Sequence, residues 1–104
     1  MNSRSPDINA MMEAQAAWIE TLLAGRDSRR TVIKMAGEVA ELMEAVTLGT
    51  KDVAGEIADI LILALDVAKL HGIDPSEAFY DKLEINKNRS WHPSGGCLQH
   101  NKET

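Results

Sequence analysis

One cysteine, Cys97, is all the thiol the chain carries. That excludes an intrachain disulfide framework and points to a reducing compartment, the cytoplasm. Aromatic residues are as scarce: Trp18, Phe79, Tyr80 and Trp91. With no β-branched or aromatic residues clustered at period two, strand signals are nearly absent. Basic residues are short as well, 11 against 16 acidic, for a formal net charge of −5. A general nucleic-acid binder wants a basic footprint, so that class of partner is excluded. There is no long hydrophobic run. The richest, Ile57 to Ala68, contains Asp59 and Asp66 and is too short to span a bilayer. The N-terminus, MNSRSPDINAMMEAQ, has no continuous apolar stretch and reads as no signal peptide.

What remains is helical. The 104 residues suit one domain, 1–104, with a modest core and an apolar surface that favours oligomerisation. The expected class is all-α, with antiparallel helices, and residues 1–4 and about 95–104 flexible. Ser5-Pro6 reads as a cap and first helical position, opening a helix to about Ala24. Trp18 falls in its apolar stripe and is expected in the core, with stacking on a nucleobase as the alternative. Ser28 or Thr31 caps a second helix that ends near Leu48. Gly37, in its interior, is costly and suggests close approach by a backbone or ligand. Thr50 or Asp52 starts a third helix, ending near His71-Gly72. Its segment from Ile57 to Ala68 is apolar on nearly every side and is expected to be buried. Asp74-Pro75-Ser76-Glu77 is a strong start for a fourth helix, to about Asn88. Arg89 to Gly96 reads as a loop.

The chemistry concentrates between residues 34 and 68. Glu38 and Glu41 form one acidic pair, Glu56 and Asp59 a second. Residues three apart on a helix lie about 60° apart around its axis and about 4.5 Å along it, so each pair aims two carboxylates the same way. The short turn at Gly49-Thr50-Lys51 makes the two helices antiparallel neighbours, and four carboxylates face one groove. Like charges so placed repel unless a divalent cation neutralises them. A lone E-x-x-E is ordinarily solvated surface. Asp59 is the residue that weighs against that view, because its apolar setting demands a partner. Asp66, if inward, needs one too, and Lys82 or a tryptophan indole could serve. Lys82, Asn86 and Arg89 form a plausible phosphate clamp, with Lys34 one turn before Glu38. By themselves those three read as a solvated helix end. Glu44 reads as outer shell or surface. A di-iron carboxylate site would need Glu-x-x-His pairs, and none of His71, His92 or His100 supplies one. Cys97 has no orienting group for nucleophilic work and too few partners for zinc.

E-V-A-E at 38–41, E-I-A-D at 56–59 and K-L-E-I-N-K-N-R at 82–89 resemble the MazG-like all-α nucleoside triphosphate pyrophosphohydrolases. That superfamily also takes in dimeric dUTPases, dCTP pyrophosphatases and phosphoribosyl-ATP pyrophosphatase. The similarity covers roughly residues 31–91. It implies a four-helix bundle-like fold and a homodimer or homotetramer. The implied reaction converts a (deoxy)nucleoside triphosphate to its monophosphate and pyrophosphate, as nucleotide-pool house-cleaning. It implies Mg²⁺, one or two ions with Mn²⁺ as a substitute, on Glu38, Glu41, Glu56 and Asp59. Lys82 and Asn86 match the family's phosphate-contacting pair, Arg89 adds to it, and Glu41 or Glu38 is the catalytic base. Trp18 and Trp91 are the residues that would stack on the base. Two other readings stand beside this one: a non-catalytic helical module that binds nucleotide or protein, and a phosphoribosyl-ATP pyrophosphatase.

Overall fold

The computed structural model describes residues 4–49 and 52–101. The N- and C-terminal residues expected to be flexible lie partly outside that range, as does Thr50. Four helices follow one another: α1 (Ile8–Glu20), α2 (Ser28–Leu48), α3 (Val53–Leu70) and α4 (Pro75–Lys87). A short antiparallel hairpin closes the chain, β1 (Trp91–Ser94) and β2 (Cys97–His100).

Aspartates begin every helix. Asp7 accepts from the Asn9 amide, Asp27 from Arg29 and Asp74 from Glu77, while Asp52 caps α3 without a side-chain bond. Each bond satisfies one donor that the first helical turn leaves open. The caps therefore lie two residues after the expected Ser5, at Asp7, and one before the expected Ser28, at Asp27. α1 also stops at Glu20 rather than near Ala24. Thr21 hydroxyl donates to the Trp18 carbonyl at 2.6 Å, and the chain leaves the helix there. Gly49 takes a left-handed φ of 65° after α2, the glycine stop that ends the long helix on time.

The hairpin corrects the loop expected there. Ser94 pairs with Cys97, so Gly95-Gly96 is a two-residue connection with both φ values positive, 61° and 80°. That is the glycine-dependent turn whose twist matches paired strands. Pro93 pairs with Leu98, one position beyond the hydrogen-bonded pair next to the turn, where its missing N–H is not needed. The hairpin is fastened to α4 by the Trp91 indole, which donates to the Asn86 carbonyl at 2.6 Å.

α2 and α3 form the antiparallel hairpin that carries the acids, α1 lies across α3, and α4 packs on α1. Asn9 ties the last two together. It donates to Asp74 at 2.9 Å and accepts from the Ser76 amide. The core of one chain is thin: Met12, Ala16, Ala45 and Leu65. Ile57 is 52 % exposed and Ile62 40 %, so α3 is not enclosed as its composition led one to expect. Trp18, at 61 % exposure, is not core either. Gly37 faces open space. The radius of gyration, 16.4 Å, exceeds the roughly 13 Å of a compact domain of about this length.

Candidate active site

Facing turns of α2 and α3 bring Glu38, Glu56 and Asp59 together, with one ligand oxygen from each inside a 4.8 Å span. Glu38 and Glu56 are half-buried and Asp59 is exposed, which corrects the expectation of a buried Asp59. Its apolar neighbours Ile57 and Ile62 are themselves exposed among the described residues. Glu38 Oε2 and Glu56 Oε2 are shut off from solvent and have no hydrogen-bond partner. Orphaned carboxylate oxygens inside a cluster of acids call for a cation. Glu41 joins through Glu38. Its carboxyl hydrogen-bonds Glu38 and, against the opposing effect of burial, holds the Glu38 pKa below the ordinary glutamate value. Lys34 adds to this from one turn earlier, its Nζ 3.4 Å from Glu38 Oε1.

A cavity of about 850 Å³ opens beside the cluster, between α1, α2 and α3. Glu38, Asp59, Lys34 and Arg30 line one part of it. Trp18, Ile19, Leu23, Ile62 and Leu63 line an apolar part. Its wall includes Asp66, whose partner is neither Lys82 nor an indole but Arg26. Arg26 Nη2 donates to Asp66 Oδ1 at 2.6 Å and Nε to Oδ2 at 2.8 Å, with both side chains about 95 % buried. Glu20 accepts from Arg26 Nη1 at 2.7 Å. These two carboxylates raise the Arg26 pKa above the ordinary arginine value, against the opposing effect of burial. Arg26 was not among the partners the sequence suggested for Asp66. The signal was available: an aspartate inside an apolar helix needs a fork of donors, which arginine supplies better than lysine.

Lys82, Asn86 and Arg89 do not line this cavity. Lys82 on α4 and Arg89 just past its end are exposed, and Arg89 borders a shallow pocket with Asp81, Glu84 and Asn88. Asn86 Oδ1 is buried without a partner. Trp91 is on the hairpin, held by α4 and against His100, and does not line the cavity either.

Carboxylates on paired helices beside a cavity with cationic and apolar parts define a metal-assisted phosphohydrolase of the helical class. Comparisons with known proteins specify it further. The chain is 40 % identical over 97 residues to a dATP/dGTP diphosphohydrolase of cyanophage S-2L, covering 91 % of this chain and 90 % of that one. A dATP/dGTP diphosphohydrolase of Salmonella phage PMBT28 is 38 % identical over 86 residues, and the match spans 28 % of that longer protein. Among solved structures, a cyanophage S-2L MazG-like pyrophosphohydrolase bound to dGDP and three catalytic Mn²⁺ ions per active site superposes with a TM-score of 0.79. That match has 36 % identity and covers 94 % of this chain and 96 % of the other. No protein-family model matches. The chain belongs to the MazG-like superfamily and is a nucleotide pyrophosphohydrolase.

Proposed function

We propose that this single-domain protein hydrolyses purine deoxynucleoside triphosphates, dATP and dGTP, to monophosphate and pyrophosphate. The observation that carries the reading is the acid cluster with its two orphaned, buried carboxylate oxygens opening onto a nucleotide-sized cavity. Glu38, Glu56 and Asp59 would hold Mg²⁺ or Mn²⁺, with Glu41 beside them through Glu38. The cation supplies the positive charge that polarises the phosphate oxygens and acidifies the attacking water. Water adds to the α-phosphorus, the bond to the α–β bridging oxygen breaks, and pyrophosphate leaves. With a dication on Glu38, Glu41 would give up the proton it shares with that carboxylate and, exposed at the rim of the cluster, would take the proton from that water. Lys34 and Arg30, on the cavity wall, meet the outgoing phosphates. Trp18 stacks on the base. The net charge of −5 supports a free nucleotide rather than nucleic acid as partner. Among the described residues no helix is long and apolar enough to cross a membrane, and the sparse thiol content supports a cytoplasmic setting.

The test is a panel of deoxynucleoside and nucleoside triphosphates with Mg²⁺ or Mn²⁺, products separated by chromatography. Wild type should release pyrophosphate and monophosphate, and a chelator should stop it reversibly. Asp59→Ala and Glu56→Ala should each lower turnover on the order of 100-fold or more while circular dichroism stays helical. Orthophosphate as the product, or full activity in both variants, would reject the reading.

A further inference from the structure

The cavity's apolar part contains one polar side chain without an assignment. Gln15 lies one turn before Trp18 and Ile19 on α1 and lines the same cavity. Its Oε1 is closed off from solvent and has no hydrogen-bond partner among the described residues. Among the described residues Gln15 is the one amide side chain on the cavity wall; the other polar side chains there are charged, apart from the Thr31 hydroxyl and the Trp18 indole. A buried amide oxygen without a donor is costly, and in a binding cavity it marks the place where a ligand brings the donor.

We propose that Gln15 is the residue that reads the Watson–Crick edge of the base, and that it does so without distinguishing adenine from guanine. This rests on the nucleotide reading above. A carboxamide presents one acceptor and one donor side by side. Adenine offers the N6 amino donor beside the N1 acceptor, and guanine offers the N1–H donor beside the O6 acceptor. Turning the amide by 180° about Cγ–Cδ exchanges its oxygen and nitrogen, so one side chain fits either edge. Aspartate at this position would only accept and would fit guanine alone. The ring is held by the apolar walls, Trp18 and Ile19 on one side and Ile62 and Leu63 on another. Those walls measure the base's size, and Gln15 pairs with whichever edge arrives.

Gln15→Glu tests this at about neutral pH, where the new carboxylate is ionised and only accepts and guanine N1 still carries its proton. Guanine can give it N1–H and the N2 amino group. Adenine N1 finds no donor. The dGTP-to-dATP ratio of kcat/KM should rise about tenfold or more over wild type, carried mainly by KM for dATP. Gln15→Leu should lower kcat/KM for both purines about equally. If Gln15→Glu does not fold by circular dichroism, Gln15→Leu and Gln15→Met decide. A ratio unchanged in Gln15→Glu, or full activity on both purines in the apolar variants, overturns the role of Gln15 while wild-type pyrophosphate release leaves the enzyme reading standing. A wild type that releases no pyrophosphate from any triphosphate overturns both.

Discussion

Arg26 and Asp66 show how a single ion pair shapes the site. Two nearly dry charges repay their desolvation only because the geometry is a bidentate fork with Glu20 taking a further N–H. Removing one partner strands the other. Arg26→Ala should therefore destabilise the fold by about 3–5 kcal/mol, read from urea titrations of wild type and variant. The double variant Arg26→Met with Asp66→Leu should recover most of that loss, since matched apolar residues leave no buried charge. A double variant no more stable than the single would mean that the pair does more than satisfy itself. Because the pair stands in the cavity wall, the double variant also separates folding from binding.

At the scale of elements, the aspartate caps set where helices begin, and they make that placement dependent on pH. Asp74 accepts from the Glu77 amide first, then from Asn9 and Ser76, and these bonds lower its pKa below the ordinary 3.8. A carboxylate with a depressed folded pKa stabilises the fold fully above its unfolded value and loses that contribution as pH falls through the folded one. The melting temperature of Asp74→Ala should thus lie below wild type by a constant amount above about pH 4, with the gap closing in more acidic solution. Asp74 also joins α4 to α1 through Asn9, so the variant should loosen the α1–α4 contact, seen as faster amide exchange in the first turn of α4. A gap that stays the same down to pH 2 would show that the cap works without its charge.

The whole molecule is dominated by what one chain leaves uncovered. Val32, Val39, Met43 and Val46 form one apolar stripe on α2, and Ile57 and Leu61 another on α3, all between 37 and 67 % exposed. Patches of this kind mark a protein interface. We infer that a second copy covers them, giving the homodimer or a tetramer built from it. Met43→Glu should shift the protein to monomer in light scattering and lower its activity together with its assembly. The polar residues on and just after α4 belong to the same question, since Lys82, Asn86 and Arg89 do not line the cavity of their own chain. If α4 of one copy serves the acids of the other, mixing inactive Asp59→Ala and Lys82→Ala proteins should restore about a quarter of wild-type activity by random pairing of intact sites. No recovery on mixing would place both groups in the same chain.

The acidic spacing was legible because helical periodicity is local. Glu38, Glu41, Glu56 and Asp59 needed only two helices and a short turn to meet, and Gly49 at the end of α2 and Asp74-Pro75 at the start of α4 are set by backbone rules alone. The hairpin was legible too, in Gly95-Gly96, but weak strand propensity at Trp91–Ser94 hid it. Other features had no local code. Asp66 had to find Arg26 forty residues away, Trp18 became a cavity wall instead of core, and Asp59 stayed in solvent. Burial is a property of what packs against a side chain, and sequence pattern states only that an apolar face exists. Which face meets its own chain, which borders the nucleotide cavity and which is left for another molecule was settled by the way α1, α2 and α3 cross.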